Sequence, residues 1–270
     1  MSEDLQKVIA LAQEAGKIHL KYFGTGLSVK HKIDQFDPVT IADKEADKFL
    51  RTRIAQAFPD DEILSEENDA RPSNYTGRVW MVDPLDGTKD FIAGRVNYSV
   101  IIGLLEYGKP AMGVVYAPST HELFYATAGN GAFSIKNDIT NQLHVTGKRK
   151  LSTARMVVRN MVYGDNRPLD DWLDSLRVAK RIPEGSIGLK LARIAEGIAD
   201  IYINSNQRAS KWDTLGPQVI MAEAGGVIAD INGVALDYAK LTVNWDNYFV
   251  AAGSEDLLQE VIANYKHYAG

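Results

Sequence analysis

The chain has 270 residues, of which 45% are hydrophobic and 24% are charged, and its formal net charge is -5. This is the composition of a soluble globular protein, and its acidity excludes nucleic acid or an anionic membrane surface as the main partner, because both require a basic surface. The chain has no cysteine, which excludes disulfides, zinc–thiolate sites and cysteine nucleophiles.

The N-terminal residues, MSEDLQKVIA, are acidic and amphipathic, whereas a signal peptide has a basic start followed by an unbroken apolar stretch. No apolar run approaches the roughly 20 residues that span a bilayer. We therefore predict a cytoplasmic protein with no membrane partner.

The first half of the sequence predicts two helices followed by a largely antiparallel sheet. Apolar residues recur at three- and four-residue steps from Leu5 to Phe23, which indicates a helix with one buried face. A second helix is predicted to begin at Thr40. From Val79 onward, short β-branched and aromatic runs predict strands: VWMVD, YSVIIGLLEYG, AMGVVYAP, ELFYATAG and GAFSI.

From about Lys148 the pattern alternates between strand and helix. The runs RMVVRN, ADIYIN, GVIADING and YFVAAGS predict strands. Helices are predicted over LDDWLDSLRVA, GLKLARIAEG, TLGPQVIMAEAGG and EDLLQEVIANYKHY. The fold class is therefore α/β (α+β), and we divide the chain into an N-terminal unit, 1–147, and a C-terminal unit, 148–270.

Acidic residues stand at the ends of predicted elements in three separate segments. The strand run WMV ends at Asp83, and Asp86 follows in a turn with Gly87; the other segments are EILSEEN and KWDTLGP. Asp83 and Asp86 taken alone are explained equally well as turn-forming residues. The three segments together predict a site for a hard cation, and Mg²⁺ is favoured because a few carboxylates and a substrate phosphate suffice to hold it. The Thr88 hydroxyl, at a predicted helix start, would face that phosphate.

Four segments resemble the ordered motifs of the inositol monophosphatase superfamily, the lithium-sensitive, magnesium-dependent phosphatases. They are DPVTIAD (37–43), SEE (65–67), DPLDGT (83–88) and WDTLGPQVIMAEAGG (212–226). The resemblance covers nearly the whole chain and implies a layered αβαβα sandwich. It also implies that two or three Mg²⁺ ions are bound, most of their ligands coming from the N-terminal unit. The ligands by position are Glu66, Asp83, the backbone carbonyl of Leu85, Asp86 and Asp213.

The same resemblance assigns Asp43 and Thr88 to catalysis, as a pair that orients and deprotonates the attacking water. Gly87 and Thr88 would contact the phosphate. From spacing alone, Thr40-x-x-Asp43 favours a helix cap, and the two roles can coexist. Asp90 and Glu67 match no ligand position, so we predict a solvated or hydrogen-bonded surface role for each.

The substrate is predicted from resemblance to the bisphosphate nucleotidase branch. Three features carry this resemblance: the segment DGTKDF, which contains Lys89; the segment SKWDT; and Lys190. They favour 3'-phosphoadenosine 5'-phosphate, with Lys89, Ser186 and Lys190 as further substrate contacts, although Asn204 stands where several such nucleotidases carry an arginine. Inositol or another sugar-alcohol phosphate, and histidinol phosphate, are the alternatives.

A metal-binding regulator without turnover is disfavoured, because every ligand and catalytic position of the family pattern is present. The family tendency also leads us to expect a homodimer.

Overall fold

The computed structural model describes residues 1–26, 30–31, 38–159, 169–205 and 209–269, and its elements form five layers. The helices are α1 (Glu3–Tyr22), α2 (Ile41–Ala57), α3 (Thr88–Ile92), α4 (Asp170–Ser175), α5 (Ile187–Ala195), α6 (Lys211–Glu223) and α7 (Glu255–Ala269). Asp37 and Asn160, at the ends of two predicted motifs, lie outside the described residues.

A first sheet contains, within these ranges, seven strands in the order β3-β4-β5-β6-β7-β8-β9. They are β3 (Glu62–Ser65), β4 (Arg78–Asp86), β5 (Ser99–Glu106), β6 (Lys109–Ala117), β7 (Glu122–Thr127), β8 (Ala132–Lys136) and β9 (Ile139–Gln142). Only β3 and β4 pair in parallel; the other neighbours in this sheet are antiparallel. The predicted antiparallel character is confirmed. A separate short pair, β1 (Lys30–His31) and β2 (Pro38–Val39), precedes it.

A second sheet has the described order β11-β10-β12-β14-β13. Its strands are β10 (Arg155–Val158), β11 (Lys180–Pro183), β12 (Ile201–Asn204), β13 (Val227–Asp230) and β14 (Phe249–Ala252). Strand β10 pairs in parallel with β11 and β12, and the remaining pairs are antiparallel. The sheet is therefore mixed, as the alternating pattern of the second half requires.

Three hydrophobic clusters define the layers. Helices α1 and α2 cover one face of the first sheet, around Trp80 and Val82. Helices α5 and α6 fill the space between the two sheets, around Leu189 and Leu215. Helices α4 and α7 cover the outer face of the second sheet. This is the αβαβα sandwich that the family resemblance implies.

The sequence patterns do not predict β3, β9 and β11. All three are edge strands, which pair on one side only and need no continuous apolar run. Every residue of β9 is exposed. The predicted helix over LDDWLDSLRVA is also too long: α4 ends at Ser175 because Leu176 turns to an extended conformation.

Both units of the predicted division contribute to one core. The central cluster contains Met81 and Ile101 from the first unit together with Leu215 and Phe249 from the second. The boundary near 148 stays a prediction about how the sequence is organised. None of the described helices has both the length and the apolar character needed to cross a bilayer.

Helix α6 approaches the first sheet very closely, and glycines permit it. A Cβ built on Gly113 would lie 2.0 Å from the carbonyl oxygen of Gly216, and one on Gly216 would lie 2.8 Å from the Ile102 carbonyl oxygen. Both obstacles are backbone atoms that cannot swing away. The backbones of β6 and α6 are therefore in direct contact, which sets the position of the α6 N-terminus.

We predict that Gly113→Ala lowers the free energy of unfolding by about 1–3 kcal/mol or more, since the new methyl forces helix and sheet apart. It should also lower activity, because α6 carries Asp213. Denaturant unfolding measures the first effect. Gly77→Ala is the matched control, because nothing lies within 4 Å of the added Cβ. Equal stability of the two variants would contradict the packing account.

Candidate active site

A bulge in β4 brings Asp83 and Asp86 to the same face of the first sheet. In a regular strand, residues three positions apart face opposite sides. Here Asp83 pairs with Ile101 and Asp86 pairs with Ser99, so the two residues of β4 between them oppose a single residue of β5. The expected end of the strand at Asp83 is therefore wrong, because pairing resumes at Asp86. The extra residue reverses the alternation and turns both carboxylates toward the central helices.

Two further acidic residues approach this pair from neighbouring elements. Glu66 follows β3 directly, and its N–H donates to the Val82 carbonyl at 3.2 Å, which places it beside Asp83 at the same edge of the sheet. Asp213 lies in the first turn of α6, where its Oδ2 accepts the Ser210 N–H at 2.6 Å. The structure thus gathers the four predicted carboxylate ligands from three segments.

Burial and mutual repulsion dominate the electrostatics of this carboxylate cluster. Burial raises the pKa of Asp83 well above its ordinary value, and the charges of Glu66, Asp86 and Asp213 raise it further. Burial, followed by the charges of Asp86 and Glu66, likewise raises the pKa of Asp213. The set therefore lacks the positive charge that would stabilise its ionised form.

In the described part of the chain, no group of three or more acidic or histidine side chains has an arrangement that could hold a metal ion. The fifth predicted ligand position, the Leu85 backbone, is held in place because its N–H donates to Asp83 Oδ1 at 2.9 Å.

Asp86 is held from the opposite side by the start of α5. The Ser186 hydroxyl and the Gly188 N–H, the latter at 2.7 Å, both donate to Asp86 Oδ2. Burial raises the pKa of Asp86, whereas these hydrogen bonds and the charge of Lys190 oppose the rise. The first sheet and the central helix layer are joined at this carboxylate.

Asp43 and Thr88 form the pair that the family resemblance predicts. Thr88 Oγ1 lies 3.1 Å from Asp43 Oδ1 and 3.0 Å from the Leu85 carbonyl oxygen, and it can donate to either. Asp43 Oδ2 accepts hydrogen bonds from the Thr40 N–H at 2.7 Å and the Thr40 hydroxyl at 2.6 Å. The predicted cap of α2 is therefore confirmed. Burial raises the pKa of Asp43 to about 6, against these hydrogen bonds.

Gly87 joins β4 to α3 in a conformation that other residues rarely adopt, with φ at 93°. A Cβ there would lie 2.8 Å from the Asn97 carbonyl oxygen. Only glycine fits this turn without strain. The turn sets Thr88 at the first position of α3, where helix N–H groups have no intrahelical acceptor.

The three other predicted substrate contacts lie at different depths. Lys89 is half-buried in the first turn of α3. Lys190 is buried; its Nζ donates to the Gly185 carbonyl at 2.6 Å and lies 5.1 Å from the centre of the Tyr202 ring. Ser186 is fully buried behind Asp86 and caps α5. Their contact with substrate stays a prediction.

The expected surface role of Asp90 is wrong. It is buried, Arg95 Nε donates to its Oδ1, and a Cβ on Gly185 would lie 2.1 Å from its Oδ2. Asp90 thus packs α3 against the start of α5. The sequence patterns do not predict Ser99, which contacts Ser186, or Gly188, which donates to Asp86; each lies at or beside the start of a predicted element.

Comparison with known proteins agrees with this geometry. The model described as the inositol monophosphatase family matches residues 1–267. The chain therefore belongs to the inositol monophosphatase family, whose members are phosphatases. An IMPase of Thermotoga maritima has a similar structure, with a TM-score of 0.83 at 26% identity over 99% of this chain and 98% of that one.

Relatives at similar distance carry three different substrate names. The histidinol-phosphatase of Chlorobaculum parvum is 36% identical, covering 86% of this chain and 88% of its own. The 3'(2'),5'-bisphosphate nucleotidase CysQ of Aggregatibacter actinomycetemcomitans is 33% identical over 87% of both chains. The inositol-1-monophosphatase of Bacillus subtilis is 29% identical over 94% and 93%.

The raised pKa values predict how stability depends on pH without divalent cations. Asp83 and Asp213 bind protons more tightly in the folded state, so the free energy of unfolding should fall as pH rises above about 4, the ordinary pKa of an aspartate. Glu122 and Asp200 act oppositely, but their pKa values of about 2 confine their effect to more acidic solution. Thermal unfolding with a chelator measures the slope.

Asp83→Asn should flatten that slope, because a neutral amide resembles the protonated side chain. An unchanged slope in this variant would show that the cluster does not govern stability in this range.

Proposed function

We propose that this phosphatase is a magnesium-dependent phosphomonoesterase whose preferred substrate is 3'-phosphoadenosine 5'-phosphate. The observation that supports the metal dependence is the burial of Asp83, Asp86 and Asp213 with Glu66 beside them, because burial and the charges of their neighbours raise the pKa of Asp83 and Asp213. Such a set is stable in ionised form only beside a cation.

The donor set fits Mg²⁺. Every side-chain donor is a carboxylate oxygen, and the Leu85 carbonyl adds a neutral oxygen beside them, which is the ligand chemistry of a hard cation. The proposed ligands are Glu66, Asp83, Leu85 through its carbonyl, Asp86 and Asp213 for two or three ions. When bound, Mg²⁺ supplies positive charge that neutralises a phosphate dianion and makes water more acidic.

The protein groups then orient and deprotonate the attacking water. If Thr88 Oγ1 donates its proton to Asp43 Oδ1, its lone pairs can accept a hydrogen bond from that water. Asp43, with a pKa of about 6, is mostly ionised at neutral pH and can accept a proton through Thr88. The Thr40 hydrogen bonds hold the carboxylate in this orientation.

The substrate preference is supported by the positive charges near Asp86 and α3. Lys89 lies in the first turn of α3, and the charge of Lys190 reaches Asp86. A substrate with a second phosphate benefits more from such charges than a monophosphate does. Similarity to the bisphosphate nucleotidase of A. actinomycetemcomitans supports the same choice. Histidinol phosphate is the second candidate, on the similarity to the C. parvum histidinol-phosphatase.

We expect Asp83→Asn to lower kcat/KM by at least about a thousandfold, or about 4 kcal/mol, because by the family resemblance Asp83 would serve two cations and a neutral amide cannot balance both. Asp86→Asn should cost about a hundredfold. Both variants should keep or gain stability without metal. Phosphate release and melting temperature, each with and without Mg²⁺, measure these effects.

Asp69→Asn is the matched control for loss of one negative charge, because Asp69 is exposed in the same acidic stretch as Glu66. It should retain wild-type activity. Asp83 and Asp86 variants that are active but less stable by about 1 kcal/mol would instead identify both residues as turn formers.

A substrate panel tests the proposed specificity. We expect kcat/KM for 3'-phosphoadenosine 5'-phosphate to exceed that for inositol 1-phosphate and histidinol phosphate by about tenfold, which requires about 1.4 kcal/mol. One charge-assisted contact to the second phosphate supplies this amount. Adenosine 5'-phosphate, which lacks the 3'-phosphate, is the control. A preference for either monophosphate would reject the nucleotidase assignment and leave the phosphatase assignment standing.

A further inference from the structure

The first turn of α5 is built around the Asp86 carboxylate. The Ser186 hydroxyl donates to Asp86 Oδ2, and the Gly188 N–H donates to the same oxygen at 2.7 Å. Ser186 also caps α5, because its Oγ accepts the Leu189 N–H at 3.0 Å. Ser99 Oγ lies 2.8 Å from Ser186 Oγ.

The hydrogen-bonding capacity of Ser186 is fully used. A serine hydroxyl has one proton and two acceptor positions. Its proton is given to Asp86, so Ser99 must be the donor in the contact between the two serines. The two acceptor positions of Ser186 are then filled by the Ser99 hydroxyl and the Leu189 N–H. Nothing remains with which Ser186 could bind a phosphate or a sugar hydroxyl.

Burial leads to the same conclusion. Ser186 and Ser99 both have 0% of their surface exposed, whereas a substrate contact needs an accessible atom. The bonds from Ser186 and Gly188 occupy Oδ2 of Asp86, and Oδ1 is the oxygen left with capacity for an ion. The start of α5 therefore controls which way this carboxylate points.

We propose that Ser186, supported by Ser99, is a positioning residue that orients Asp86 for cation binding and does not contact the substrate. This inference rests on the proposed magnesium-dependent function. It replaces the role predicted from the sequence, in which Ser186 binds substrate.

The test is a magnesium titration of the melting temperature, performed beside steady-state kinetics on the full chain. We define the magnesium midpoint as the MgCl₂ concentration at which half of the increase in melting temperature is reached. We expect Ser186→Ala to raise this midpoint by about tenfold, equivalent to about 1.4 kcal/mol. The KM for the phosphate ester should stay near its wild-type value when MgCl₂ is saturating. A direct substrate contact would do the reverse and raise KM at an unchanged magnesium midpoint.

Three variants separate positioning from helix capping. Ser2→Ala removes the serine cap of α1, whose Oγ accepts the Leu5 N–H. Ser2 lies far in sequence from the proposed cation ligands, so this variant should lower stability without moving the midpoint. Ser186→Thr keeps the hydroxyl and should keep the midpoint near wild type. Ser99→Ala removes only the supporting donor, so its midpoint should lie between those of wild type and Ser186→Ala.

The outcomes are distinguishable. If the wild type responds to MgCl₂ and Ser186→Ala shares its midpoint, the positioning role is overturned while the metal-dependent function stands. If the wild type shows no thermal response to MgCl₂ and releases no phosphate, the proposed function is wrong, and so is the inference that depends on it. Midpoints that rise from wild type through Ser99→Ala to Ser186→Ala support both the positioning role and the proposed function.

Discussion

Three buried carboxyl groups, Asp83, Asp86 and Asp213, lie with the partly exposed Glu66 at one place in this protein, and much of the surrounding structure serves to hold them there. Asp83 and Asp86 depend on the bulge in β4, Glu66 on the parallel pairing of β3, and Asp213 on the close packing of α6 against the sheet. Burial, followed by repulsion, raises the pKa of Asp83 and Asp213 and leaves the set short of positive charge. The same arrangement therefore restrains the surrounding elements and forms the proposed cation site.

Helix starts supply much of the restraint. Asp43 accepts the Thr40 N–H at the start of α2, Asp213 accepts the Ser210 N–H at the start of α6, and Asp86 accepts the Gly188 N–H at the start of α5. The N-terminal end of a helix carries partial positive charge, which favours a nearby carboxylate. Three helices from two sequence units thus converge on the acidic residues, and each also uses a carboxylate to satisfy a backbone donor.

Substrate choice depends on other parts of the molecule. Relatives named for histidinol phosphate, a bisphosphate nucleotide and inositol phosphate are all about equally similar to this chain. A shared family does not separate these substrates, because each of them presents a phosphate. Discrimination has to come from groups that meet the rest of the ester. The burial of Ser186 and Lys190 reduces the number of sequence-predicted groups that can reach it directly.

The sequence by itself determined the family, because four short motifs resemble those of the family. Through that resemblance it also indicated the layered fold and the acidic residues, and apolar periodicity predicted most of the helices and strands. Edge strands such as β9 and β11 were not predicted, because a strand that pairs on one side and is largely exposed needs no apolar run. Tertiary structure alone decided how the residues meet. The bulge reverses the side-chain alternation between Asp83 and Asp86, and Ser186 reaches Asp86 across 100 positions of sequence. Local patterns cannot encode such contacts, since they depend on which strands pair and where a distant helix begins.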